Sequence, residues 1–339
     1  MTSNYLLLRN QWVSHLIPRQ GLTRLVLLLM VLGALAVTAM GVGSTTIYPW
    51  RVVQTIAGQG NPTEDLIINL FRMPRVFLAM LVGIGLGVSG AILQGLVRNP
   101  LASPDILGVT DGASVVAVFI LTLFSGMFSL FWLPAMVFAG GMVTVLIIYL
   151  MAWKGGVAPR RMILIGIGLG ALLSAARTIV MTQSPIQKTA GAQIWLSGSL
   201  NAANWQQVQI LVIWYLVLLP FLLLAMRSLT VQSMGDDLAK SLGSHITSER
   251  FGLIILSTAL ATASVAFVGS IGFVGLMAPH IARRLLGNMP ELHLPGSAMV
   301  GALLVLVSDL AGRVVLAPLE VPVGIFTALI GCPYFIYLL

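Results

Sequence analysis

Residues 83–113 read GIGLGVSGAILQGLVRNPLASPDILGVTDGA, and this stretch decides the fold. Its first half is apolar and rich in small residues, which let helix backbones approach each other closely inside a membrane. Its second half, from Arg98 to Asp105, contains two prolines, so the helix must end there and the chain must turn. A new apolar segment begins at Ile106. The pattern predicts a buried transmembrane helix followed by a turn and a further helix; an ordinary tight loop between two spans is the plainer alternative.

The composition of the whole chain indicates an integral membrane protein. Of its 339 residues, 58% are hydrophobic and 8% are charged, and the mean hydropathy is +0.99. A water-soluble fold would therefore have too little polar surface to cover a globule. Because each span needs about 20 apolar residues, we expect an all-α protein of about ten transmembrane helices, forming one domain over residues 1–339. The formal charge of +8 is not carried by a soluble basic domain, which excludes nucleic acid as a partner.

The distribution of basic residues predicts the orientation of the chain in the bilayer. Arg9, Arg19 and Arg24 precede the first apolar run, 25–42, which is long enough to span and has no convincing cleavage site. The positive-inside rule therefore predicts a cytoplasmic amino terminus. Alternating the remaining spans then places most Lys and Arg residues on the cytoplasmic side.

The residue order within 90–113 is similar to a family signature. The pattern GAxLQxLxRNPLAxPxxLGVxxGA resembles that of permease subunits of ABC importers for ferric siderophores, haem and cobalamin, the FecCD/BtuC-type family. Matching motifs recur along most of the chain, at residues 72–75, 195–200, 235–243, 268–284 and 320–339. The resemblance implies the type II ABC importer permease fold, in which two halves are related by inverted topology.

The resemblance also implies a transport subunit that is not an enzyme and has no catalytic residue, metal or cofactor. No segment fits G-x-x-x-x-G-K-[ST], so we do not expect the chain to bind and hydrolyse ATP itself. The implied partners are two ATP-binding subunits, a second permease subunit, identical or related, and a soluble extracytoplasmic substrate-binding protein. The expected location is the cytoplasmic (inner) membrane of a bacterium, with several passes through the lipid bilayer.

The longest cytoplasmic polar segment, about 228–250, fills the position at which the family's permeases dock on their ATPases. Glycines at both ends of 235–243 and leucines four residues apart predict a short docked helix there, with a solvated amphipathic loop as the alternative. The resemblance assigns ATPase coupling to Gly235, Asp236, Asp237, Leu238, Ala239, Leu242 and Gly243.

Three arginines are predicted at the outer face. Arg72 and Arg75 lie three residues apart at the start of the second helix, and Arg313 reaches the same surface from the end of the ninth. The resemblance implies that they pair with glutamates of the substrate-binding protein. The alternative is that they anchor helix ends at lipid headgroups.

Arg177 lies in an otherwise apolar helix predicted over 162–182, roughly 22 Å from its cytoplasmic end. A charge at that depth is costly in lipid, so we expect it to face the translocation pathway or a polar partner; snorkelling to the outer interface is the alternative. Asp309 lies one turn from Arg313, which predicts an internal ion pair. His280 is expected to satisfy one structural hydrogen bond.

Two other function classes fit the sequence less well. An ion-coupled secondary transporter needs buried acidic residues in mid-helix, and the one candidate, Asp309, lies near a helix end. An intramembrane enzyme needs a paired catalytic constellation such as HExxH, which is absent from the sequence. Within the resembled family, RNPLASPDILGV at 98–109 looks closest to permeases for ferric citrate and related siderophores. A ferric siderophore is therefore the expected substrate, with cobalamin or haem as the alternative.

Overall fold

A computed structural model of the chain describes residues 5–10, 13–43, 45–154, 159–233 and 235–338. A short antiparallel hairpin of β1 (Tyr5–Asn10) and β2 (Val13–Pro18) precedes a fold that is otherwise helical within these ranges. The helices are α1 (Arg19–Gly41), α2 (Pro49–Ile56), α3 (Pro62–Asp65), α4 (Met73–Val97), α5 (Val109–Thr122), α6 (Leu133–Ala152), α7 (Pro159–Gln183), α8 (Ile186–Leu196), α9 (Trp205–Ser233), α10 (Asp236–Ser241), α11 (Ile246–Val268), α12 (Val274–Leu286), α13 (Pro290–Val314) and α14 (Val323–Leu338).

The described helices agree with the prediction of about ten membrane-spanning segments. Seven helical segments, which contain α1, α4, α6, α7, α9, α11 and α13, are long and apolar enough to cross a bilayer. Helices α5 and α14 are shorter apolar helices, and α12 packs against both α4 and α13. These ten helices correspond in order to the ten predicted from hydropathy.

Helix α4 lies at the centre of the packing, against α9, α11, α12 and α13. The glycines of α4 allow its neighbours to pack this closely. A Cβ atom added to Gly83 would overlap the carbonyl oxygen of Gly301 on α13, and one added to Gly90 would overlap the carbonyl oxygen of Gly275 on α12. The backbones of the three helices are therefore in direct contact, which confirms the buried helix predicted from the small residues of this stretch.

The predicted turn after α4 is also present. Arg98 ends the helix in the left-handed region at φ 54°, and the Asn99 side chain accepts a hydrogen bond from the Leu101 backbone N–H at 2.9 Å. A second turn follows, in which the Gly108 N–H donates to the Asp105 carbonyl. The apolar pattern predicts that the next helix begins at Ile106. Because of this second turn, α5 begins three residues later, at Val109.

Two polar connections contain more helix than hydropathy predicts. The segment 183–206 contains α8, and a π-helical turn, Leu66–Arg72, leads directly into α4. Helix α9 extends to Ser233, into the polar segment predicted at about 228–250. Hydropathy marks where a helix leaves the apolar layer, and these helices continue past that point.

Candidate functional site

The arginines predicted at the outer face, Arg72, Arg75 and Arg313, lie together where α4 and α13 meet; we call them the outer arginines. The Arg75 guanidinium lies 2.9 Å from Asp309 on α13 and 2.9 Å from Glu320 in the loop before α14. Arg313 lies 3.1 Å from the second carboxylate oxygen of Asp309. The predicted Asp309–Arg313 pair is thus confirmed, and Asp309 also pairs with Arg75.

Two of the outer arginines also cap the carboxyl-terminal end of α1. Arg72 donates to the carbonyl oxygens of Met40 and Gly41, both at 2.9 Å, and Arg313 donates to those of Ala39 and Val42 at 3.0 and 3.1 Å. These carbonyls belong to the last turn of α1 and the residue after it, where a helix leaves acceptors without intrahelical donors and where positive charge is favourable. Arg72 and Arg313 therefore have a structural role as well.

A depression of about 360 Å³ opens beside this cluster. Its lining includes all three outer arginines together with Glu320 and Asn201. Arg75 and Glu320 meet at its edge, where the Glu320 side chain is 38% exposed. A carboxylate that entered from outside would find three guanidinium groups within one small depression, and it would compete with Glu320 for Arg75.

The short helix predicted within 228–250 is α10. Gly235 precedes it at φ 113° and Gly243 follows it at φ 80°, backbone conformations that favour glycine. Ala239 is fully buried against the rest of the chain, whereas Leu238 and Leu242 are 57% and 64% exposed. The two leucines therefore form an apolar surface that points away from the protein's own core.

The first two residues of α10 differ in their surroundings. Asp237 is exposed, whereas the Asp236 carboxylate lies 2.5 Å from Arg98 at the end of α4 and 3.1 Å from Arg250 on α11. Partial burial raises the pKa of Asp236, but the hydrogen bond from Arg98 and the charge of Arg250 outweigh it, so the pKa lies below its ordinary value. Asp236 is therefore ionised at neutral pH.

Arg177 lies 18 residues after the first residue of α7, about 27 Å along its axis. Its guanidinium donates to the Ser174 hydroxyl at 3.1 Å and lies 3.7 Å from the Asp111 carboxylate in the first turn of α5. Both charged groups line a cavity of about 420 Å³, whose other polar lining residues are Thr110, Ser114, Thr178, Gln193 and Ser270. Arg177 therefore has a polar partner, as predicted.

The prediction for His280 is wrong. Neither ring nitrogen has a hydrogen-bond partner among the described residues, and the ring instead packs edge-on against Tyr334 at a centroid distance of 5.9 Å. The histidine that does bond in this region is His293, whose Nε2 lies 2.9 Å from the Pro279 carbonyl oxygen. The His280 side chain therefore contributes an aromatic packing contact with Tyr334 in place of the predicted hydrogen bond.

Sequence reasoning missed four charged residues at these sites: Asp111, Glu320, Arg98 and Arg250. Three of them lie inside motifs that were recognised as a whole, since Arg98 opens RNPLASPDILGV, Asp111 lies in VTDGA and Glu320 opens the motif at 320–339. For Arg98 and Asp111 the available signal was a charged residue beside a predicted helix end. Their partners are distant in sequence, so the pairing itself left no local pattern.

The chain is similar to known proteins over nearly its whole length. The model of the FecCD transport family matches residues 27–339. The chain is 47% identical to YfhA of Bacillus subtilis (strain 168), a "probable siderophore transport system permease protein", over 92% of each chain. It is 42% identical to the achromobactin transport system permease protein CbrC of Dickeya dadantii (strain 3937), over 93% of this chain and 90% of that protein.

A solved structure has the same fold. It is described as an inward-facing conformation of an ABC transporter of metal-chelate type, and it superposes with a TM-score of 0.84. The match covers 94% of this chain and 99% of that one, at 33% sequence identity. With a family model that matches nearly its whole length and relatives of more than 40% identity, this chain, a membrane permease, belongs to the FecCD transport family.

Proposed function

We propose that the chain is the membrane permease subunit of an ABC importer that moves a ferric siderophore into the cytoplasm. The observation that carries this proposal is the agreement among relatives that match nine-tenths or more of this chain. YfhA and CbrC are named for siderophore transport, and YfmE of Bacillus subtilis (strain 168), 42% identical, is a ferric citrate import system permease protein. Cobalamin or haem remains the alternative substrate.

The cavity between α5 and α7 supports a polar route for the chelate. Arg177 lies deep within a span, where an uncompensated charge is costly, and Asp111 lies beside it at 3.7 Å. Ferric siderophores often carry negative charge, and such a ligand gains from a guanidinium in a partly dehydrated cavity. Arg177 therefore faces the translocation pathway and helps to receive the chelate.

The depression at the outer face supports docking of a soluble binding protein through its carboxylates. The outer arginines line this depression, and Arg75 already holds one accessible carboxylate, that of Glu320. A guanidinium binds a carboxylate through two parallel hydrogen bonds, so the same group can accept a glutamate from outside. In this arrangement Glu320 holds Arg75 until the partner's carboxylate replaces it.

Helix α10 supports docking of the ATP-binding subunits on the opposite face. Its exposed leucines supply an apolar contact, and its glycine boundaries set it apart from α9 and α11. Hydrolysis of ATP takes place on these partners and not on the chain itself. Two ATP-binding subunits, a second permease subunit and the binding protein complete the importer around this single transmembrane domain.

The proposed orientation has a cytoplasmic amino terminus in the inner membrane. Arg24, near the start of α1, donates to the Leu285 carbonyl at the end of α12 at 2.7 Å. The two helix ends therefore lie on the same side of the bilayer, and Arg283 and Arg284 at the end of α12 give that side a positive charge.

Uptake of radiolabelled iron tests the proposal. A strain that lacks this permease should lose uptake of ferric siderophore, and the wild-type chain should restore it while uptake of ferrous iron stays constant as the control. If the deletion strain takes up the chelates at the wild-type rate, the proposal is refuted. Restoration of cobalamin or haem uptake alone would identify the alternative substrate.

A further inference from the structure

The carboxylate of Asp236 joins three separate elements on the cytoplasmic side. It lies at the start of α10, contacts Arg98 at the end of α4, and contacts Arg250 in the second turn of α11. Arg98 also donates from Nε and Nη2 to the Gln232 carbonyl in the last turn of α9, at 3.1 and 2.7 Å. Four helices thus meet at one carboxylate and the two guanidinium groups around it.

This arrangement directs Asp236 toward the membrane domain. Both of its oxygens lie within 3.3 Å of Arg250, and one also contacts Arg98. Most of the other side chains of α10 and the residue just after it are exposed: Asp237, Leu238, Lys240, Ser241 and Leu242. The Asp236 side chain is 45% exposed, with its carboxylate held by the two arginines. An outside partner can therefore contact α10 through side chains other than the one that holds α10 to its own chain.

We propose that Asp236 is a positioning residue that fixes α10 to α4 and α11, so that movement of α10 by a docked ATPase is delivered to the transmembrane helices. This inference rests on the proposed function and assigns a separate role to one residue of the docking segment. The route continues from Arg98 through the turn at residues 98–108 to α5, whose first turn carries Asp111 in the polar cavity.

The electrostatics explain why an acid is needed at this position. Arg98 and Arg250 both approach the same carboxylate, so its loss would leave two neighbouring positive charges that repel each other. An amide at residue 236 would keep the volume and some hydrogen bonding but would not compensate the charges. Helix α10 would then remain folded and available to the ATPase while its connection to α4 weakens.

The test compares Asp236→Asn with Asp65→Asn, which makes the same charge change at an exposed acid in α3, beyond the opposite end of α4. The purified permease–ATPase complex is reconstituted in lipid vesicles with its binding protein and ferric siderophore. The measurements are ATPase retained per permease, ATP hydrolysed and chelate taken up. We expect Asp236→Asn to retain the ATPase and hydrolyse ATP while uptake per ATP falls about tenfold, which is within the range for mutations that weaken coupling. Asp65→Asn should match the wild type.

Chemical rescue tests the same point in protein that is already folded. In a Cys332→Ser background, which removes the one native and exposed thiol, Asp236→Cys should transport poorly. Its thiolate displaces iodide from iodoacetate and forms an S–CH₂ bond, which restores a carboxylate at this position. Iodoacetamide modifies the same sulfur with a neutral amide. Uptake per ATP should rise after iodoacetate and stay low after iodoacetamide.

Three results would overturn the inference: equal uptake per ATP in Asp236→Asn and Asp65→Asn, equal rescue by both reagents, or loss of the ATPase from the purified Asp236→Asn complex. The last result would make Asp236 a docking contact. The proposed function fails separately, when the unmodified complex does not take up ferric siderophore at all.

Discussion

Asp309 and Glu320 contact the same guanidinium at the same distance, but their burial differs. Both lie 2.9 Å from Arg75, yet the Asp309 side chain is 1% exposed and the Glu320 side chain is 38% exposed. Asp309 also holds Arg313 at 3.1 Å. At an effective dielectric constant of about 20, each of these two contacts of Asp309 is worth about 5 kcal/mol before desolvation is counted.

We expect Asp309→Asn to lower the free energy of unfolding by about 3–5 kcal/mol, the usual cost of removing one partner from a buried ion pair. Glu320→Gln is the matched control, and an exposed pair of this kind contributes about 0–1 kcal/mol. The measurement is thermal unfolding of the two purified variants in the same detergent. Equal stability losses would refute the reasoning, because burial would then not distinguish the two carboxylates.

Three further predictions follow from the sites. Arg177→Gln should insert normally but lower uptake of an anionic chelate about fivefold, the equivalent of about 1 kcal/mol for a partly exposed charge; unchanged uptake in vesicles would favour snorkelling. Arg75→Glu leaves Arg72 and Arg313 in place at the end of α1 and should weaken capture of the binding protein at low salt, since repulsion replaces attraction; capture is measured on immobilised permease. Ala239→Glu forces a charge into the buried side of α10 and should uncouple ATP hydrolysis from uptake, measured on the same vesicles.

The low pKa of Asp236 makes a fourth, independent prediction. Because its folded pKa lies below the unfolded value of about 3.9, the stabilisation from its carboxylate is present above that value and is lost only as pH falls through the folded pKa. Uptake per ATP in wild-type vesicles should therefore not change between about pH 5.5 and 8 through this residue. A decline that disappears in Asp236→Asn would contradict this assignment.

The helices were predictable because the bilayer imposes a strong local rule. Each span must satisfy its own backbone and remain apolar for about 20 residues, so hydropathy together with the family motifs located the ten helices in order. Their ends were less predictable. Helix α5 starts three residues late because Asp105 and Gly108 form a turn, and α8 lies beyond the end of the span predicted over 162–182.

The charged contacts were likewise predictable only where the two residues lie close together in the sequence. The Asp309–Arg313 pair was predictable because residues four apart share one face of a helix. The other contacts join residues far apart in sequence: 66 positions separate Asp111 from Arg177, and 138 separate Arg98 from Asp236. No sequence period records such pairs, because helix packing and not helix geometry brings them together.

Packing around α4 also limits where this protein can change shape. Helix α4 carries Arg75 in its first turn and ends at Arg98, so it connects the outer arginines with the cluster around Asp236. Its glycine contacts place its backbone directly against α12 and α13, and such close contacts leave little room for sliding. These three helices should therefore move as one body. Conformational changes that open or close the translocation pathway must then occur where these helices connect to neighbouring elements. These places are the turn at residues 98–108, the Asp111–Arg177 contact between α5 and α7, and the Asp236 contact to α10.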